Sequence, residues 1–131
     1  MRDTTLMNCI SACLECHRTC TEMASDHCLE RGGPHVEPKH FRTMLACAEI
    51  CGASAQMMML QSPYHHALCM LCARICEDCA DSCRALDGME ACVKACERCA
   101  VSCREMAIHH SGKDDILKAA FLEVSNGSHR D

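Results

Sequence analysis

Cysteines at helical spacing are the residues of this sequence that could do chemistry. Sixteen of the 131 residues are cysteines, and most of them recur in steps of three and four residues. Side chains with that spacing lie on one face of an α-helix. A thiolate is a soft ligand for metal ions, so such faces predict rows of metal ligands. The candidate ligands are Cys9, Cys13, Cys16, Cys20, Cys28, Cys47, Cys51, Cys69, Cys72, Cys76, Cys79, Cys83, Cys92, Cys96, Cys99 and Cys103.

One motif, Cys-x3-Cys-x2-Cys-x3-Cys, occurs at residues 9–20, 72–83 and 92–103, and a single Cys-x3-Cys pair occurs at residues 47–51. The Cβ atoms of two cysteines four residues apart on a helix are roughly 5–6 Å apart. A two-coordinate metal with bonds of about 2.3 Å holds its sulfurs within about 4.6 Å, and ordinary rotamers close that gap. Cu(I) accepts two or three soft ligands, whereas zinc prefers four in a tetrahedron. The pairs therefore favour Cu(I), although thiolates from neighbouring helices would also suit zinc.

The number of thiols favours storage over catalysis or electron transfer. An enzyme or an electron carrier needs one or two metal sites, whereas sixteen thiols make an array. With two cysteines per ion, about eight Cu(I) ions would bind, and bridging sulfurs would allow roughly twice that number. A cysteine nucleophile needs an activating histidine, and no single thiol is distinguished in this way, so we expect no enzymatic activity. An iron–sulfur protein is a further alternative, but the common Cys-x2-Cys-x2-Cys-x3-Cys-Pro motif is absent.

Histidines and methionines extend the cysteine rows toward the ends of the predicted helices. Thioether and imidazole should bind Cu(I) less tightly than thiolate, so these groups are candidates for passing the ion inward. Four of them lie on the same helix faces as cysteines and are candidate ligands: Met58, His65, Met106 and His110. They belong to one end of the predicted fold, which we favour as the place where metal enters because more soft ligands gather there. The opposite end holds His27, Cys28, His35, His40, Met44 and Met89.

Four helices are needed to position these residues, over about residues 4–30, 38–61, 63–86 and 89–110. Glycine and proline separate them, and connections this short favour antiparallel neighbours. We therefore predict an all-α protein, an antiparallel four-helix bundle with a cysteine-lined core, over residues 1–111. In the first helix, either His27 or Cys28 continues the inward face. In the tail, residues 112–131, apolar residues at helical spacing predict a short docked helix: Ile116, Leu117, Ala120, Phe121 and Val124.

Composition argues against several classes of partner. The formal net charge of −5 disfavours nucleic acid and anionic membrane surfaces. No apolar run approaches the ~20 residues of a membrane-spanning helix. The N-terminal residues lack the basic and apolar regions of an export signal, so we expect a cytoplasmic protein with reduced thiols. A disulfide framework is disfavoured as well, because small disulfide-rich domains are rich in loops and these spacings are helical.

With these motifs, the chain resembles the cytosolic branch of the bacterial copper storage proteins. The three four-cysteine motifs and the pair at residues 47–51 carry the resemblance, which covers about residues 4–111. It implies a bundle that stores many Cu(I) ions, chiefly at Cys-x3-Cys pairs, with histidine or methionine at an open mouth. It also implies a cytosolic homotetramer. A zinc or mixed-metal thiolate buffer is the alternative function.

Overall fold

The computed structural model describes residues 3–109 of the protein, and this part is helical between short connections. A π-helical turn, Ala24–Cys28, joins the first helix to the second, and a 3-10 helix, Gly33–Val36, precedes the third. The helices are α1 (Thr4–Met23), α2 (Leu29–Arg31), α3 (Pro38–Met59), α4 (His65–Arg84) and α5 (Glu90–His109). The four long helices pack in a ring, with α1 against α3 and α5, and α4 against α3 and α5. The predicted antiparallel four-helix bundle is confirmed.

Local chemistry at the helix ends explains why the boundaries fall close to the predicted positions. The Asp3 carboxylate accepts a hydrogen bond of 2.7 Å from the backbone N–H of Leu6, which satisfies a donor that the first turn of α1 leaves unpaired. Glu37 caps α3 in the same way. Gly32 and Gly88 have φ values of 64° and 77°, which glycine adopts without steric cost. These residues stop one helix and allow the chain to turn into the next.

The core is made of sulfur and small side chains. All sixteen cysteines are free thiols, and all are buried. The largest fully buried side chains belong to four methionines, Met44, Met58, Met89 and Met106. Thiols pack as small hydrophobic groups, so the bundle can fold with its thiols protonated. The inward faces of the helices are thus the cysteine rows that the spacing predicted.

Charged residues pair on the outside of the bundle. Arg104 pairs with Glu77, and Arg84 pairs with Glu97, which links α4 to α5. All four side chains are about half exposed, so each pair contributes only about 0–1 kcal/mol to stability. Burial of the core therefore dominates the stability of the fold. Each helix within residues 3–109 is too short or too polar to cross a lipid bilayer.

The π-turn determines which residue follows Cys20 and Ala24 on the inward face. In a regular α-helix at about 100° per residue, residue 27 would lie about 20° from the direction of Cys20, and residue 28 about 80° away. The wider turn absorbs one extra residue, so Cys28 is buried in the core. His27 lies outside the core, and its Nε2 is 3.1 Å from the carbonyl oxygen of Asp87. The structure thus selects Cys28 from the two residues that the sequence left open.

Candidate metal centre

The thiols in the middle of the bundle converge from different helices. In three groups of four cysteines and one group of three, all the sulfurs lie within 4.8 Å of one another. The central group takes one thiol from each of the four long helices. The groups are Cys16, Cys51, Cys76 and Cys99; Cys16, Cys20, Cys47 and Cys96; Cys13, Cys72, Cys99 and Cys103; and Cys9, Cys69 and Cys103. Any ion placed in such a group would therefore crosslink the bundle.

Shared sulfurs join these groups into one continuous chain. Cys16, Cys99 and Cys103 each belong to two groups. A sulfur that belongs to two groups can bridge two ions, because a thiolate has more than one lone pair to donate. The arrangement therefore supports a row of neighbouring ions along the bundle axis rather than separate sites.

Contacts between helices are as close as the contacts within one helix. The Sγ atom of Cys51 is 3.5 Å from that of Cys76 and 3.6 Å from that of Cys72. The Cys-x3-Cys pair Cys72 and Cys76, on one helix, has its sulfurs 3.9 Å apart. Sequence spacing identified the pairs within a helix and allowed ligands from neighbouring helices, but it did not identify which thiols of different helices meet. The opposite chain directions of neighbouring helices, which bring the middle of each cysteine row to the same level, were the signal for them.

Burial and mutual hydrogen bonding set the protonation of the thiols. The pKa of Cys83 is raised to about 12, chiefly by its hydrogen bond with Cys79 and also by burial. Hydrogen bonding to Cys16 and other neighbouring thiols likewise raises the pKa of Cys51. Conversely, hydrogen bonds from neighbouring thiols, Cys20 first, lower the pKa of Cys16, which favours its thiolate. The network therefore holds protons that a binding metal ion must displace.

One end of the bundle, which we call the Cys28 end, combines a thiol with three weaker soft ligands. It comprises the π-turn, the start of α3, the end of α4 and the start of α5. The Sγ atom of Cys28 is 3.6 Å from Sδ of Met44 and 3.9 Å from Sδ of Met89. Nε2 of His40 is also 3.9 Å from this sulfur. These four residues bring one thiolate, two thioethers and one imidazole to a single point.

His40 is held between this cluster and the surface. Its Nδ1 lies 2.6 Å from the hydroxyl oxygen of Ser82, so the ring has a fixed orientation with Nε2 toward Cys28. Burial lowers the pKa of His40, which favours the neutral imidazole that metal ions bind. An open groove of about 890 Å³ between α3 and α4 is lined by His40 and Ser82. The sequence placed His40, Met44 and Met89 at this end without counting them as ligands, although His40, Met44 and Cys47 share one helix face.

The other end, which we call the His65 end, comprises the start of α1, the end of α3, the start of α4 and the end of α5. Met58 and Met106 are buried there, and Sδ of Met58 is 3.8 Å from Sγ of Cys69. His65 is buried too, and its ring centroid is 3.8 Å from that of His66. Three of the four predicted histidine and methionine ligands are thus at this end, as the topology required. The fourth, His110, lies outside the described residues.

This fold and site define a class of protein: a helical bundle whose core is an array of soft ligands for many metal ions. A sequence profile of the copper storage proteins matches residues 2–108. The chain belongs to the copper storage protein family.

Related proteins support this assignment. A protein of Nitrosospira multiformis, Nmul_A1745, has a crystal structure that is similar with a TM-score of 0.82 and 50% sequence identity, over 83% of this chain and 100% of that one. The Cu(I)-bound copper storage protein BsCsp3 has a TM-score of 0.73 and 37% identity, over 79% of this chain and 99% of that one. The cysteine-rich protein YhjQ of Bacillus subtilis is 39% identical over 75 residues, which are 57% of this chain and 68% of that protein.

Proposed function

We propose that this protein stores multiple Cu(I) ions on the thiolates that line its core. The continuous chain of shared thiol groups from Cys9 to Cys20 is the observation that carries the proposal. Its relationship to a Cu(I)-bound copper storage protein supports the choice of metal. The proposed storage ligands are the sixteen cysteines, with Met58, Met106, His65 and His110 as weaker ligands.

The charge of the core favours Cu(I) over zinc. A zinc ion with four thiolates carries a net charge of −2, whereas one Cu(I) ion per thiolate is neutral. Among residues 3–109, the buried polar side chains are four histidines and one serine, and no lysine or arginine is buried. Unpaired charge in such a core costs several kcal/mol per ion. Monovalent copper with bridging thiolates fills the array without that cost, so the zinc buffer is the weaker alternative.

The wider setting of the protein is part of the same proposal. We place the protein in the cytoplasm, where thiols stay reduced, and assign it storage rather than catalysis. The resemblance to the family supports a homotetramer. Residues 1–111 form the Cu(I)-binding domain, which is supported by the family match to residues 2–108, and residues 112–131 form a separate tail.

Metal exchange takes place at the Cys28 end in this proposal, which revises the preference drawn from ligand number. There, the imidazole of His40 lies between the surface groove and the buried Cys28 thiol. Its orientation by Ser82 directs Nε2 toward the cluster, so an ion can pass from groove to imidazole to thiolate. Increasing ligand softness along this path would draw Cu(I) inward.

An anaerobic titration tests the storage function. Reduced apo-protein is titrated with Cu(I) in the presence of a competing Cu(I) chelator, and in parallel with zinc. We expect tight binding of about eight or more Cu(I) ions per chain and weak or sparse binding of zinc. Binding of only one or two copper ions, or zinc held by four thiols each, would contradict storage.

A matched variant ties the capacity to the central groups. Serine replacement of Cys72, Cys76, Cys96 and Cys99 removes at least one thiol from each group of four. We expect the Cu(I) capacity to fall by roughly a quarter to a half while far-UV circular dichroism stays that of a helical bundle. Full capacity in this variant would refute the central array.

A further inference from the structure

The two ends of the bundle differ in the large apolar side chains that they expose. Six large apolar residues among residues 3–109 are more than half exposed. Only Leu29 is at the Cys28 end, and Val101 is on the side of α5. The other four are at the His65 end: Met7, Leu60, Tyr64 and Ile108. Most of the strongly exposed apolar surface is therefore concentrated on one end.

The four residues come from α1, from α5 and from the two sides of the connection between α3 and α4. Met7 is in the second turn of α1, and Ile108 is in the last turn of α5. Leu60 and Tyr64 flank the connection between α3 and α4. Contacts between Cys9 and Cys103, 3.7 Å apart, and between Cys69 and Met58 show that these helix ends are level. The exposed side chains thus lie at the same end of the bundle as the C-terminus of α5.

The residues that follow α5 have the sequence of a partner for this surface. Ile116, Leu117, Ala120, Phe121 and Val124 have the spacing of one helix face, and the charged residues Lys118 and Glu123 fall between them. The family profile matches residues 2–108, so this segment lies outside the matched part of the chain.

We propose that residues 114–124 form an amphipathic helix that docks across the His65 end of its own bundle. A helix of that length is about 16 Å long. Four helix axes spaced about 8–10 Å apart have a diagonal of about 11–14 Å, so the helix spans the end. Residues 110–113 can reach about 13 Å when extended, and Gly112 permits the chain to reverse. The apolar face of the segment then covers Leu60, Tyr64 and Ile108.

The proposed docking covers apolar side chains of the bundle and does not depend on the proposed copper storage. The docking is therefore tested on apo-protein, where the result is independent of any metal.

Hydrogen exchange measured by mass spectrometry on the full, reduced apo chain tests the docking. We expect amides of residues 116–124 to exchange at least ten-fold more slowly than in an isolated peptide of residues 110–131. Phe121→Glu removes the largest apolar side chain of the segment without touching the bundle, and should return exchange to within two-fold of the peptide. The double variant Leu60→Glu/Ile108→Glu should do the same from the other side of the contact.

Leu29→Glu is the control, because it places the same charge at a residue of similar exposure on the opposite end. It should leave the protection of residues 116–124 unchanged. Exchange as fast as in the peptide in the unmodified protein would overturn the proposal, as would protection that survives Phe121→Glu. Protection that is lost when dilution separates the proposed tetramer into single chains, as followed by sedimentation, would also overturn it and would assign the surface to a second copy of the chain.

Discussion

The two ends of this bundle contain the same kinds of soft side chain but arrange them differently. At the Cys28 end, two thioethers and an imidazole surround one thiol at distances of 3.6–3.9 Å. At the His65 end, the closest described contact of this kind is between Met58 and Cys69, while the imidazole rings of His65 and His66 pack on each other. A count of soft ligands favours the second end, whereas their convergence on one sulfur favours the first.

The difference shows that the orientation of a candidate ligand indicates a metal site better than its position along the bundle does. Buried methionine serves as packing wherever it fits, because its flexible thioether fills irregular gaps. A histidine that binds a metal ion almost always has a hydrogen-bond partner on its second nitrogen, which fixes the orientation of the ring. Ser82 provides that partner for His40 at the Cys28 end. Matched variants at the two ends test whether this arrangement makes the Cys28 end the site of metal exchange.

The largest expected effect comes from replacing the weaker ligands of each end in turn. Each end has two buried methionines and two buried histidines, and each variant replaces both methionines and one histidine. We expect the triple variant His40→Gln/Met44→Leu/Met89→Leu to slow Cu(I) transfer to and from a chelator about ten-fold, equivalent to about 1.4 kcal/mol in the barrier. Leucine conserves the volume of methionine, so the fold should persist. Stopped-flow measurement of the transfer rate gives the result.

The matched triple variant at the other end is His65→Gln/Met58→Leu/Met106→Leu. It should change the rate of Cu(I) transfer less than two-fold. In either variant, the number of Cu(I) ions bound at saturation should fall by no more than the number bound at the altered end. A slower rate in this second variant, with a normal rate in the first, would reverse the assignment of the two ends.

The next prediction concerns the effect of alkaline pH on the stability of the apo-protein. The thiol of Cys83, near the Cys28 end, has its pKa raised from an ordinary value of 9.0 to about 12. The unfolded chain releases this proton near pH 9 and the folded chain only near pH 12, so its contribution to stability is full below pH 9 and is lost as the pH rises. By pH 10 the loss is about 1.4 kcal/mol for this thiol.

Urea unfolding under anaerobic, reducing conditions at pH 8 and pH 10 measures this loss. Cys83→Ser should reduce the difference between the two pH values by about that amount, because a serine hydroxyl does not titrate in this range. Cys28→Ser should reduce it as well, since burial raises the pKa of Cys28 too. Equal pH dependence in the variants and the unmodified protein would mean that folding does not raise the pKa values of the thiols at this end.

Much of this architecture could be predicted because one period runs through the sequence. Steps of three and four residues define the inward face of a helix, and they identified the four long helices, their buried faces and the antiparallel bundle. The ends of α3, α4 and α5 fell within one or two residues of the prediction, since glycine, proline and short connections mark them. Residue spacing and helix-ending residues were sufficient to predict a residue's helix and whether its side chain is buried, because both depend on the helix that contains the residue.

The site itself was less predictable, because it depends on how helices align with one another. Spacing within α1 says nothing about whether Cys16 is level with Cys51 or with Cys47, and the structure places it close to both, in two groups. The contact between His40 and Cys28 likewise depends on the path of the chain through the 3-10 helix. A π-turn leaves no mark in the sequence period, so His27 and Cys28 could not be distinguished before the structure.

The smallest effect is expected from removing the π-turn. This change tests whether the π-turn does more than accommodate one extra residue and so direct Cys28 inward. Deleting the exposed Ser25 leaves Cys28 seven residues after Cys20, about 20° from its direction in a regular α-helix. Cys28 would then point inward without a π-turn, and His27 would keep its place beside Asp87. We expect the variant to bind as many Cu(I) ions as the unmodified protein and to change in stability by less than about 1 kcal/mol.

Cu(I) titration and thermal unfolding of the variant give the two measurements, and Cys28→Ser is the control in which the ligand itself is lost. If the deletion behaves like the unmodified protein, the π-turn accommodates one extra residue and the ligands of the Cys28 end depend only on Cys28 pointing inward. If capacity is kept but Cu(I) transfer slows as in the His40 triple variant, the wider turn itself contributes to exchange. The Cys28 end would then differ from the His65 end in backbone mobility as well as in the convergence of its ligands.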